Sequence, residues 1–208
     1  MLLRCSSLGM LMGKSKGSQP YGLSATAQGV VKDIADAYCY NTPITVDNKY
    51  MTKGRDCEDD SIELFNDVFF MDLVKNEVRL SNEHITGECD LLSDDLVIDI
   101  KSSWSVKQFA EMRRKATDYE WQLRGYMLLY EKSKACTAHC LVDTPDKLCR
   151  FDGAVHKFAH IPKSDRVIIG NQIEREDKYE DMIKEKHEAC LAYYNDLLDD
   201  FKKGRELP

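Results

Sequence analysis

Residues 87–101 read Gly-Glu-Cys-Asp-Leu-Leu-Ser-Asp-Asp-Leu-Val-Ile-Asp-Ile-Lys. Two apolar-rich stretches of strand length are joined there by Asp94-Asp95, a turn dipeptide, so the segment predicts a tight hairpin. With the two aspartates as turn residues, Leu92 falls opposite Val97, Asp90 opposite Asp99 and Glu88 opposite Lys101. Side chains alternate across a strand. Asp90, Asp99 and Lys101 therefore share one face, while Cys89, Leu91, Ile98 and Ile100 form an apolar face that belongs in a core. Carboxylates directly opposite each other destabilise a sheet. At about 4 Å and an effective dielectric near 20, the repulsion is on the order of 4 kcal/mol. A divalent cation turns that repulsion into binding energy, and hard oxygen ligands suit Mg2+ or Mn2+. Lys101 would stand beside the ion, where an ammonium can orient an attacking water or stabilise a phosphorane-like transition state. An exposed acidic hairpin with Lys101 as a solvated partner is compatible with the same residues.

The flanking chain predicts helices before and after this hairpin. Arg4 to Met12 reads as a short helix with Ser6 or Ser7 at its N-cap, and Lys14 to Tyr21, with Gly17 and Pro20, as a loop. Ser24 caps a helix to about Tyr40 whose apolar face carries Val30, Val31, Ile34, Ala35 and Tyr38. Asn41 to Thr52 reads as irregular, and Asp56 to about Leu73 as a helix with Ile62, Leu64, Phe65, Val68 and Phe69 at helical spacing. Strands are expected at Glu77 to Leu80, His84 to Leu92, Leu96 to Lys101, Ala135 to Val142 and Arg166 to Ile173. Helices are expected at Val106 to Met112, Asp118 to Glu131 and Glu176 to Lys202. The order implies an α/β fold with a mixed central sheet flanked by helices. One domain over 1–208 is expected, its core about 4–173 and its C-terminal helix about 176–202.

Composition narrows the function classes. In 208 residues there is no apolar run near 18, which argues against a membrane span. The apolar start is broken at once by Arg4 and followed by Lys14 and Lys16, unlike a secretory signal. Eight cysteines without a C-x-x-C read as reduced, mostly buried thiols of a cytoplasmic protein. The net charge of −7 speaks mildly against a nucleic-acid binder, but its distribution matters more. Residues 1–32 hold Arg4, Lys14, Lys16 and Lys32 and no acid, and 101–125 are also locally basic. One basic face is therefore compatible with an acidic total. Trp104 and Trp121 flank the hairpin site, where aromatics can stack on bases of a frayed strand; Trp121 reads rather as core packing, while Trp104, at the strand end, is open to either. Arg113 and Arg114 can contact phosphates or form a solvated face. His139, His156, His160 and His187 form no local metal-binding pattern.

Two further motifs bracket the hairpin. Upstream, Gly54-Arg55-Asp56-Cys57-Glu58 is a G-x-x-x-E at a helix start; downstream, Gln122-Leu123-Arg124-Gly125-Tyr126 is a Q-x-x-x-Y whose ends share a helical face. In this order and spacing the set resembles the PD-(D/E)XK nuclease superfamily, and more narrowly its RecB-type branch of phage recombination exonucleases similar to lambda exonuclease. The resemblance covers roughly 4–142. It implies that Glu58 is the first-helix acid, with Glu63 as alternative, and that Asp90 is the metal-binding aspartate. It also implies that Asp99 and Lys101 are the (D/E)-x-K pair, with the Ile100 carbonyl as a further metal ligand and with Gln122 and Tyr126 facing the cleft. Asp99 stands where lambda-type enzymes carry Glu. Arg4-Cys5-Ser6-Ser7 looks like the segment that binds the 5′-terminal phosphate in that group, with Arg4 and Ser7 as ligands; a helix cap with a solvated Arg4 is the other reading. The implied activity is Mg2+-dependent 5′→3′ exonuclease digestion of linear duplex DNA ends, with Mn2+ as a substitute. The implied partners are a single-strand annealing recombinase and other copies in a homotrimeric ring, in a bacterial host cell carrying a phage or prophage. Cys136, Cys140 and Cys149 have the wrong spacing for the iron–sulfur cluster of some superfamily members, so none is expected. An endonuclease or CRISPR-associated nuclease on the same fold, or a non-catalytic DNA-binding adaptor, is the alternative.

Overall fold

The computed structural model describes residues 1–43, 48–112, 119–149 and 153–204. Strands β5 (Leu96–Ser102) and β6 (Lys134–Cys140) are parallel, a pairing that needs a crossover connection, supplied here through helices α5 (Val106–Met112) and α6 (Glu120–Tyr130). On one side β4 (Leu91–Leu92) pairs antiparallel with β5; on the other β7 (Val167–Glu174) pairs antiparallel with β6. The mixed sheet thus runs β4-β5-β6-β7. A smaller sheet is formed by β1 (Leu3–Arg4), β3 (Ile85–Gly87) and β2 (Leu80–Ser81), in the order β1-β3-β2.

Helices cover both faces of the mixed sheet. Helix α4 (Glu58–Phe69) buries Ile62, Leu64 and Phe65 against Leu91, Ile98, Ile100, Cys136 and Ala138. Helix α6 covers the opposite face, where Leu123 and Met127 meet Val97 and Ala135. This second core extends to α1 (Leu8–Leu11), α2 (Ala25–Cys39) and the long α7 (Asp177–Lys203). The face under α6 is apolar at one end, with Val97 and Ala135, and polar at the other, with Asp99, Lys101, Thr137 and His139. Among the described residues no helix is long and apolar enough to cross a membrane. All eight cysteines are free, six of them buried.

Several elements depart from expectation, each for a local reason. The strand expected over His84 to Leu92 is split between the two sheets. Asn76 takes the carbonyls at the break: its amide donates to Asp90 O at 2.8 Å and its Nδ2 to Cys89 O at 2.9 Å. Cys89 accordingly packs in the α6-side core rather than with Leu91 and Ile98, and Glu88 pairs with Arg79 at 3.2 Å instead of lying across from Lys101. The strand expected at Glu77 to Leu80 is reduced to β2. The helix expected from Arg4 begins as β1, paired with Ile85 and Thr86, and continues through a 3-10 turn (Cys5–Ser7) into α1; Ser7 makes no side-chain capping bond. The stretch expected to be irregular up to Thr52 enters helix α3 (Lys49–Asp56), which Asn48 starts by accepting from the Tyr50 and Met51 amides at 3.0 Å. Ser24 caps α2 as expected, accepting from Ala27 N at 3.2 Å.

Two glycines let the layers under the site close. Cys5 lies between Gly87 and Gly125; a Cβ on Gly125 would stand 2.8 Å from both Cys5 Sγ and Leu8 Cδ1. In a free helix Gly→Ala gains roughly 1 kcal/mol. Here the contact should reverse the sign, and Gly125→Ala is expected to destabilise by about 1–3 kcal/mol. A melting temperature equal to wild type or above it would show that this layer can yield.

Candidate active site

The hairpin register brings two carboxylates together. Leu92 pairs with Val97 and Leu91 with Ile98, so Asp90 is the next residue on one strand and Asp99 on the other. The ladder stops there. Ile100 N, left without a β4 partner, donates instead to Asp90 Oδ2 at 2.5 Å. A residue's N–H and C=O leave a strand on the same side, so the Ile100 carbonyl faces the same vacated edge as Asp90.

Asp99 is 1% exposed. Its Oδ1 accepts from Gln122 Nε2 at 3.0 Å, and the same nitrogen donates to Tyr126 Oη at 3.0 Å. Gln122 and Tyr126, one helical turn apart on α6, therefore reach the site as one unit. Asp99 Oδ2 forms an ion pair with Lys101 Nζ and has no hydrogen bond of good geometry. The Lys101 ammonium also lies 4.9 Å from the centre of the Tyr119 ring. Glu58, the first residue of α4, pairs with Lys75 at 3.0 Å.

Burial and mutual repulsion set the protonation of these groups. Desolvation, then the charges of Asp99 and Glu58, push the Asp90 carboxyl up to about 7, against the pull of Lys101 and the Ile100 amide. Burial alone would lower the Lys101 ammonium, but Asp99 and Asp90 outweigh it and hold it above its usual value. His139 sits across the ladder from Lys101; burial and that neighbouring cation push it down to about 4, so it is neutral near pH 7. Burial and then Asp99 raise the Tyr126 hydroxyl, which stays protonated.

Glu58, Asp90, Asp99, Ile100, Lys101, Gln122 and Tyr126 all line one cleft of about 420 Å³. Glu63 is exposed and off the cleft, which favours Glu58 as the first acid. Arg4, exposed on β1, and Ser7, partly buried in the 3-10 turn, are not among the lining residues. Trp104 is half-buried and not among the lining residues, and Trp121 packs on the core and against Tyr179. Arg113 and Arg114 lie outside the described residues. The cleft also holds Tyr50, Tyr119 and His139, which sequence reasoning missed. A signal for His139 was present: Thr137 and His139 are polar at period two in an otherwise apolar strand, marking one face of β6 as a polar wall.

Among the described residues no three His, Cys, Asp or Glu side chains come together as a cage for an ion. Mg2+ does not need one, since it commonly keeps several waters and takes one or two carboxylates plus substrate phosphate. Two close carboxylates, one buried and one pushed up first by desolvation and then by its neighbour's charge, together with a main-chain oxygen on an open edge, fit such an ion.

The fold, with the motif residues gathered under α6, is that of the PD-(D/E)XK nucleases. Among solved structures the chain is similar to a phage-related exonuclease from Haemophilus somnus 129PT, at 30% sequence identity, with 96% of each chain covered and a TM-score of 0.86. It shares its fold with an alkaline exonuclease from Laribacter hongkongensis, LHK-Exo, solved alone and in complex with dAMP. For those two structures identity is 15%, coverage is 98% of this chain and 92% of that one, and TM-scores are 0.71 and 0.70. No family model and no curated protein matches the chain. The chain belongs to the phage-related exonucleases.

Proposed function

We propose that this protein is an Mg2+-dependent exodeoxyribonuclease that digests linear double-stranded DNA in the 5′→3′ direction and supplies single strands for recombination or repair. The observation that carries this reading is the convergence of Asp90, Asp99, Lys101, Glu58, Gln122 and Tyr126 on one cleft, in a chain of the phage-related exonuclease family. Asp90, Asp99 and the Ile100 carbonyl would hold the ion, with Glu58 joining once released from Lys75. When bound, Mg2+ or Mn2+ supplies Lewis acidity toward the phosphoryl oxygens and a water of lowered pKa. Lys101 orients the attacking water and offsets charge developing on the phosphoryl group. Gln122 fixes Asp99 through Oδ1, and neutral Tyr126 holds Gln122 in turn.

Around this centre, Arg4 and Ser7 would take the 5′-terminal phosphate, while Arg113 and Arg114 would contact the strand further along. A homotrimeric ring would reconcile a net charge of −7 with DNA binding, because an acidic exterior can enclose a basic channel. A single-strand annealing recombinase is the expected partner, in the cytoplasm of a bacterium carrying a phage or prophage.

A time course on linear and covalently closed circular DNA, with Mg2+ and with EDTA, tests the reading. Linear duplex should disappear only with Mg2+, a label on the 5′ nucleotide should be released first, and closed circles should persist. Loss of closed circles would identify an endonuclease instead. Digestion in EDTA would overturn the metal dependence.

A further inference from the structure

Tyr50, the second residue of α3, lines the catalytic cleft and is 53% exposed. A single exposed aromatic is ordinary; the mount behind this one is not. The Trp104 indole, three residues beyond Lys101, meets the Tyr50 ring edge-to-face at 5.3 Å and 77°. Trp104 is itself clamped at both backbone groups. Its N–H donates to Gln108 Oε1 at 3.0 Å, and its carbonyl accepts from His156 Nδ1 at 3.1 Å, with the imidazole 4.9 Å from the indole. The Lys49 ammonium lies 4.5 Å from the Trp104 centroid and 5.3 Å from that of Tyr50. Asn48 locks the first turn of α3 through the Tyr50 and Met51 amides. The result is a fixed aromatic surface with a cation beside it, on the wall of the cleft that holds Asp90, Asp99 and Lys101.

A rigid ring next to a positive charge is the chemistry that takes a planar base and its adjoining phosphate. We propose that Tyr50, buttressed by Trp104, is a stacking platform for one nucleobase of the DNA strand in the cleft, with Lys49 on the neighbouring phosphate. The inference rests on the nuclease reading above and changes the part played by Trp104. Covered by Tyr50, Lys49 and His156, Trp104 is a positioning residue that acts through Tyr50 rather than touching DNA itself.

Binding of a 5′-phosphorylated duplex, labelled at its 3′ end, can be followed by fluorescence anisotropy in EDTA. A tetrahydrofuran abasic residue is placed in turn at each of the first few 5′ positions. Stacking of one base is worth roughly 5- to 150-fold in affinity. Wild type should therefore lose about ten-fold or more at one position and little at the others. Tyr50→Ala should bind the intact and abasic duplexes equally, whereas Tyr50→Phe, which keeps a stacking face, should retain the penalty. A wild type indifferent to abasic sites at every position, or a Tyr50→Ala protein that keeps the penalty, overturns the platform. Cleavage of the same duplexes in Mg2+ separates the two levels. A chain that cuts DNA without a base-dependent penalty sinks the platform alone; one that neither binds nor cuts sinks the nuclease reading with it.

Discussion

Replacing Lys101 by Ala should lower the rate of Mg2+-dependent DNA cleavage by roughly 10²- to 10³-fold or more, the usual cost of losing one preorganised electrostatic stabiliser. The expectation follows from where the ammonium is held. It is paired with buried Asp99, lies against the Tyr119 ring, and is kept charged by two carboxylates that outweigh its own desolvation. Such a group is fixed before substrate arrives and needs no reorganisation as phosphoryl charge develops. The variant should still fold. Removing one partner of a fully buried ion pair costs about 3–5 kcal/mol, but Lys101 keeps 24% of its side chain exposed. The two aspartates left behind can also share a proton, so the stability loss should fall below that range. Lys101→Met retains the aliphatic stem and should lose activity to the same extent, which separates charge from packing. Circular dichroism and melting curves, taken beside the kinetics, would report the fold. Near wild-type turnover in either variant would mean that the cleft has been misassigned.

The residues that could be read in advance were those whose partners lie close in the chain. The pairing of Leu92 with Val97 and Leu91 with Ile98 follows from alternation and a two-aspartate turn, and it alone puts Asp90 and Asp99 side by side. Gln122 and Tyr126 share a helical face by spacing. Partners set by long-range packing were not legible. His139 stands beside Lys101 because β5 and β6 run parallel in one particular register. Lys53 falls between the stretch expected to be irregular and the helix expected from Asp56, with no apolar pattern to mark it as core. Yet it is fully buried and donates to the carbonyls of Ser103 and Val142 at 2.6 and 2.8 Å, and burial pushes it down to about 8. The break after Gly87 depends on Asn76, a residue with no strand signal of its own, whose side chain and amide substitute for a ladder. The motif order named residues that line one cleft; the other walls of that cleft came from contacts that periodicity does not encode.

Metal-free protein should become less stable as pH rises from about 5 to 8, and Mg2+ should give its largest thermal shift at the upper end of that range. Asp90 carries both effects. Its carboxyl has an ordinary value of 3.8 and is pushed up to about 7 in the folded chain, first by burial and then by Asp99. Between those values the folded chain holds a proton that the unfolded chain has released. Stability therefore falls as pH climbs through the window, and the contribution is gone above the folded value. A cation bound by Asp90 and Asp99 competes with that same proton, so binding should be weak at pH 5 and strengthen through 7. With Mg2+ at about 100 times its Kd, mass action adds about 2.7 kcal/mol. At about 2–4 °C per kcal/mol for a chain of this size, the melting temperature should rise by roughly 5–10 °C. Other titrating groups contribute a background slope, which the difference between wild type and Asp90→Asn removes. Asp90→Asn should be flatter with pH when metal-free and should lose most of the Mg2+ shift at pH 8. A melting temperature at pH 8 that does not move between metal-free buffer and millimolar Mg2+ or Mn2+ would remove the case for an ion between the two aspartates. A wild-type Mg2+ shift larger at pH 5 than at pH 8 would give Asp90 the wrong sign.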